Sequence, residues 1–125
     1  MFSFTPFMRI AGWLGLIFGV QLLLVPAFTL QLNGVHTDSG GIMLARLSGA
    51  VLIEAGLTQI LIATSSDTAT RRGGLISGLI GSVAGLAVTL SMQVTHVAGL
   101  LGWMNVLVYG FLLGGFVMVL AQGRR

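Results

Sequence analysis

A chain of 125 residues that is 55% hydrophobic and only 7% charged cannot cover a water-facing surface, for which about 25% charged residues is usual. The absence of cysteine excludes disulfides, thiolate catalysis and thiolate metal sites. The net charge of +3 comes from six arginines, no lysine and three acids. Those arginines are scattered along the chain, so the basic pI near 11.3 does not point to nucleic acid.

Four apolar stretches account for the composition: residues 7–30, 41–64, 75–93 and 97–120. Each has about the 17–25 residues needed to cross a bilayer core, and none carries the polar stripe of a soluble amphipathic helix. The first stretch holds Trp13, Gln21 and a small-residue row at Ala11, Gly15 and Gly19, with Pro26 near its far end. Val25-Pro26-Ala27 has the small residues of a signal-peptide cleavage site, but the apolar run from Ile10 exceeds the usual 7–15-residue core of such a signal, so it reads as a span. A turn at Asn33-Gly34 follows, then His36, Asp38 and the turn residues Ser39-Gly40-Gly41. The second span carries Arg46, Glu54 and a small face at Ala45, Gly49 and Gly56. Arg71 and Arg72 fall in the second loop beside a turn signal at Gly73-Gly74. Two small rows mark the third span, Gly74 with Gly78, and Ser77 with Gly81 and Gly85, making it the favoured oligomer contact. A short loop at Thr95 and His96 leads to the fourth span, with Trp103 and small residues at Gly110 and Gly114. Close helix approach in lipid explains these glycines, since small residues let backbones meet.

The expected fold is therefore all-α: a single-domain integral membrane four-helix bundle with short loops and antiparallel neighbours. Arg9, Arg71, Arg72, Arg124 and Arg125 fall on one side when four spans are threaded. The positive-inside rule then puts both termini in the cytoplasm, with His36, Asp38 and His96 on the other side.

Glu54 is the sharpest chemical feature, because a carboxylate at this depth costs roughly 2.5–3.5 kcal/mol on insertion scales. On a helical wheel Arg46, Ala50, Glu54 and Thr58 form one ridge that should point inward, with Leu44, Val51, Ala55 and Ile62 opposite, toward lipid or a partner. Helical rise matches Glu54 in depth with Gln21, Ser82 and Tyr109, and Arg46 with Asn105, Thr89 and Ser91, giving two polar layers. Arg46 lies about 12 Å along the axis from Glu54, too far for an easy ion pair. Asp38 is an equal candidate to pair with Arg46, and Gln21 or Tyr109 to share a hydrogen bond with a neutral Glu54. The two readings of Glu54 are a structural hydrogen bond fixing helix register and a binding point for a proton or a cationic or polar solute.

His36 and His96, with Met43, Met92 and Met104, fall near the outer face, and imidazole with thioether suits copper. No His-x-His or close methionine motif accompanies them, so neither a metal nor another cofactor is predicted. The Gly-rich stretch from Gly73 to Gly85 lacks a preceding strand and a phosphate-binding lysine, which makes it a packing pattern. No catalytic triad can be assembled.

Phe18-Gly19 through Leu24-Val25-Pro26, Asn33-Gly34-Val35, Ala45-Arg46-Leu47-Ser48-Gly49-Ala50 and Gly56-Leu57 together resemble DoxX-like and related small four-helix bacterial membrane proteins. The resemblance covers about residues 14–61, and the Ala-Arg-Leu-x-Gly-Ala element is its most specific part. It implies a bacterial inner-membrane location, places Arg46 in the shared pattern, and implies little about chemistry. Small multidrug transporters offer a competing four-helix comparison. Their glutamate lies in the first helix, where this chain has Gln21, and its acid lies in the second.

The leading functional expectation is a non-enzymatic membrane protein that joins a larger membrane complex or forms a small homo-oligomer through its small-residue faces. A small-solute or proton-coupled transporter using Glu54 is the alternative, and an enzyme acting on lipid or quinone stands third. The expected partners are the bilayer and another membrane protein or a second copy, with no nucleic acid.

Overall fold

A computed structural model describes residues 3–123; Arg124 and Arg125, counted above toward orientation, lie outside the described residues. The architecture is all-α. Helix α1 (Phe4–Leu24) is followed by a short α2 (Pro26–Leu32), then α3 (Ser39–Ile62), α4 (Thr68–Val94), a 3₁₀ turn (Leu100–Gly102) and α5 (Trp103–Gln122). Four helical segments, with the 3₁₀ turn joined to α5, are long and apolar enough to cross a membrane.

The helix boundaries differ from the expected spans in ways that local chemistry explains. Pro26 has no N–H to donate and sits at the first position of α2, so the first span breaks at Val25, where φ is −131° and ψ 57°. Ser39-Gly40-Gly41 forms the start of α3 rather than a turn, because the Asp38 carboxylate caps it by accepting from Gly41 N at 2.9 Å. Asp38 is thus a helix cap, not a partner for Arg46. The expected loop at Arg71 to Gly74 is also helical, since α4 begins at Thr68 behind the Asp67 cap, which accepts from Thr70 N at 2.8 Å. Hydrogen bonds from the Thr70 hydroxyl and backbone hold the Asp67 carboxyl below the usual carboxylate range.

The helices associate as two antiparallel pairs, α1 with α3 and α4 with α5, and the pairs meet mainly at their ends. This departs from the expected close-packed bundle. In the first pair, Gly12, Gly15 and Gly19 face Gly49 and Gly56 so closely that backbone touches backbone. A Cβ added at Gly49 would stand 2.6 Å from the Gly19 carbonyl oxygen, and one at Gly56 would stand 2.6 Å from that of Gly12. In the second pair aromatic rings fill glycine notches, with Phe116 over Gly78 and Tyr109 over Gly85.

At the arginine-bearing end the pairs close on the buried core. Phe7 and Met8 of α1, Ala63 just beyond α3, Leu75 of α4 and Phe116 of α5 are its centre. The Phe7 ring stands edge-on to Phe116 at 4.9 Å and lies over the Gly115 notch. Thr5 donates its hydroxyl to the Ala63 carbonyl at 3.0 Å, and the Arg71 guanidinium lies 4.1 Å over the Phe4 ring. Arg71 thereby does packing work in addition to any role in topology.

At the opposite end the closure is polar. Asn105 Nδ2 donates to Asn33 Oδ1 at 2.7 Å, and Gly99 N donates to the Asn33 carbonyl at 2.7 Å. Gly34 makes this junction possible, as it adopts φ +69° against the backbone of Gly99. Beside it, buried Gln93 joins α4 to α5. In the amide orientation that satisfies both its ends, it accepts from Trp103 N at 3.0 Å and Trp103 Nε1 at 2.9 Å and donates to the Ala98 carbonyl at 3.3 Å. Replacing Gln93 by Leu leaves the Trp103 indole N–H without this acceptor, while Trp103 N keeps the Leu100 carbonyl. The expected loss is about 1–3 kcal/mol of stability, read as a lower melting temperature in detergent together with a shifted emission of Trp103.

Candidate functional site

The space left between the two pairs is a cleft of about 730 Å³. It exists because α1 and α3 interlock through glycine while the facing row of α4 carries only Ser77, Gly81 and their small neighbours. A Cβ added at Gly81 would meet nothing within 4 Å. The Ser77–Gly81 row, expected to pack a helix, instead lines the cleft.

Its lining places Glu54 of α3 among apolar walls with a sparse set of polar groups. Leu14 and Phe18 line it from α1, Val51 and Ile62 from α3, and Val108 and Leu112 from α5. Polar lining comes from Thr58, Gln59, Ser77, Ser82 and Tyr109, and nearer the polar closure from Asn33, Thr89 and Asn105. Several of these groups are already engaged locally. Ser82 donates to the Gly78 carbonyl at 2.8 Å, Thr89 to that of Gly85 at 2.9 Å, and Thr58 to the Glu54 carbonyl at 2.9 Å. Asn105 is held by Asn33. Glu54 is exposed and, among the described residues, supplies the only formal charge on the cleft wall. Among the described residues its carboxylate takes no hydrogen bond from a neighbouring side chain.

Depth matching therefore assembled part of the site. Glu54, Ser82 and Tyr109 line one cleft, as do Thr89 and Asn105. Gln21 does not join them, being exposed and off the cleft wall, so it provides no hydrogen bond to Glu54. Arg46 and Ser91 are likewise exposed and outside it. Helical rise gives depth but not azimuth, and the glycine seam turns Gln21 away. The α3 ridge reaches the cleft at Glu54 and Thr58, but Val51, Ala55 and Ile62, expected on the opposite side, line it as well. The reason is that the tight seam at Gly49 and Gly56 occupies one face of α3 and leaves a wide arc of that helix to border the gap.

Some polar contributors, Gln59 and Asn33 among them, were not expected at the site from the sequence. Gln59 lines the cleft one residue beyond Thr58, and Asn33, read as a turn residue, reaches across to Asn105. The paired asparagines at matching outer depth were the available signal for that contact.

His36 borders a separate small hollow of about 240 Å³ with Leu30, Gln31 and Thr37, while His96 is exposed at the end of α4 with φ 57°. Among the described residues no three His, Asp or Glu side chains come together to hold a metal ion. Comparison of the chain with protein-family models, with curated proteins and with solved structures gives no match.

Proposed function

We propose that this chain is a small multi-pass membrane carrier that binds a cationic solute in the cleft between its helix pairs, with Glu54 as the counter-charge. The observation that carries the reading is one uncompensated carboxylate on the wall of a largely apolar cleft whose volume, about 730 Å³, falls in the range of about 300–1,000 Å³ typical of small-molecule sites. A structural role for Glu54 fits poorly, since its carboxylate ties no neighbouring helix among the described residues. An acid that exchanges a proton for a cation needs this freedom. The arginine-bearing end of the fold, where Arg9, Arg71 and Arg72 lie, is the cytoplasmic end on this reading. The DoxX-like resemblance of the first half favours the bacterial inner membrane.

The test is Glu54→Gln in sealed proteoliposomes. Wild-type protein is expected to release protons when the cation binds and, under an imposed proton gradient, to move the cation against the direction of proton flow. The variant is expected to lose both by about tenfold or more, as removal of a desolvated charge partner implies. Equal flux in the two proteins would rule out Glu54 as the coupling group.

A second reading, membership of a larger membrane complex or a homo-oligomer, is favoured by the outer face of α5. Cβ atoms added at Gly110 or Gly114 would meet nothing within 4 Å, so this small-residue pair is unpartnered among the described residues. Purification from native membranes separates the readings, because a stoichiometric large partner supports the accessory role.

A further inference from the structure

We infer that the cleft takes its ligand sideways from the bilayer, through the gap between α3 and α4, and that the ligand is a lipophilic monocation rather than a strongly hydrated one. This rests on the carrier reading above and names its substrate class and route.

The route follows from which walls are sealed. One end is blocked by the Phe7, Met8 and Phe116 core, and the other by the Asn33, Gly99 and Asn105 junction. The cleft residues of α1 and α5, such as Phe18 and Tyr109, are half-buried or buried, whereas Glu54, Ala55 and Thr58 of α3 and Gly73, Ser77 and Gly81 of α4 are exposed. Beyond their connection α3 and α4 touch little, and α1 and α5 touch no more, so it is the exposure of the α3 and α4 walls that marks the open side. The opening therefore runs along the middle of two apolar spans. It is flanked by exposed Leu57 and Leu61 on one side and Ile80 on the other. At that depth the surroundings are hydrocarbon rather than water.

The ligand class follows from charge and desolvation. Among the described residues Glu54 is the sole formal charge on the wall, and it calls for one positive centre. The walls around it are mostly apolar, so the cleft has little with which to replace a hydration shell. A small ammonium ion would give up its water for one carboxylate. A bulky cation with its charge spread over an apolar body loses little hydration, and it fills the volume that Leu14, Phe18, Val108 and Leu112 surround.

The experiment uses the full chain in lipid nanodiscs and follows equilibrium and time-resolved binding of radiolabelled tetraphenylphosphonium, with methylammonium as competitor. Gly81→Trp fills the portal from a position where an added Cβ meets nothing within 4 Å. Gly110→Trp places the same bulk on an open face of α5 off the cleft wall. Melting temperatures of both variants verify folding. The expected result is binding by wild type and Gly110→Trp, a loss of about tenfold or more in Gly81→Trp, and no displacement by equimolar methylammonium. Unchanged binding and association rate in Gly81→Trp, or an equal loss in Gly110→Trp, overturns the lateral portal. Displacement by methylammonium overturns the lipophilic class while leaving the cationic reading of Glu54 standing. Failure of wild type to bind either cation overturns both.

Discussion

Gly49→Leu is expected to prevent α1 and α3 from pairing, with loss of the folded protein in mild detergent. A Cβ at Gly49 already stands 2.6 Å from the Gly19 carbonyl oxygen and 2.7 Å from Leu23 N. Both are helix backbone atoms, which cannot swing aside as a side chain does. Even Gly49→Ala should cost about 1–3 kcal/mol, the range of overpacking in a close-fitted interface. The seam is vulnerable because in lipid no hydrophobic force pushes helices together, and close van der Waals approach provides much of the attraction. Gly110→Ala is the internal control. With nothing within 4 Å of the new methyl group, it should leave stability unchanged or slightly raised. Helix content followed through thermal or dodecyl sulfate titration checks both. Matching transitions for Gly49→Ala and Gly110→Ala would show that the seam does not hold the pair together.

Gly34→Val is expected to part the two helix pairs at their polar end without unfolding either pair. Two effects act together at this residue. Its φ of +69° is unfavourable for a β-branched side chain, by about 1–3 kcal/mol for a strained backbone. An added Cβ would also stand 2.7 Å from Gly99 N, the group that donates to the Asn33 carbonyl. Losing that contact takes the Asn33–Asn105 hydrogen bond with it, since Asn33 is the next residue. Asn105→Ala removes only the side-chain bond and should have the smaller effect, roughly 0.6 and at most about 1.7 kcal/mol for an interhelical polar contact in a membrane. The chain has no cysteine, so paired labels at Thr37→Cys and Val97→Cys report the outer separation cleanly by electron-spin distance measurement. A longer and broader distribution in Gly34→Val is the expected result, and an unchanged one would show that the aromatic core alone fixes the angle between the pairs.

The two substitutions bear on function from opposite directions. Opening the polar end should admit water to Glu54, while disrupting the α1–α3 seam should destroy the cleft altogether. Cation binding in Gly34→Val thus reports whether the site needs its outer closure, a question that Glu54→Gln cannot answer.

Much of the fold was legible because apolar length and charge scarcity are properties of the chain alone. The four long apolar helices, the Pro26 break and the Asn33-Gly34 turn follow from hydropathy and backbone chemistry. Loop boundaries were harder to read. Gly73-Gly74 and Ser39-Gly40-Gly41 carry turn-like composition, but the carboxylates of Asp67 and Asp38 cap the helices ahead of them and carry these residues into helix. In the site, Glu54, Ser82, Tyr109, Thr89 and Asn105 were reached by matching depth, and Gln21 and Arg46 were misplaced because rise along a helix says nothing about rotation around it.

By itself, then, the sequence determined that this is a chain of four apolar helices with one acid deep in the second, since those features depend on residue type and spacing. Only the tertiary structure decided that the helices form two pairs around a cleft, and that Glu54 stands on its wall without the company of Gln21. The physical reason is the fit between surfaces. Gly12, Gly15 and Gly19 lock against Gly49 and Gly56, Phe116 and Tyr109 fill Gly78 and Gly85, and Ser77 and Gly81 are left with nothing large enough to close the gap. A list of small residues does not reveal which of them meet one another and which face open space.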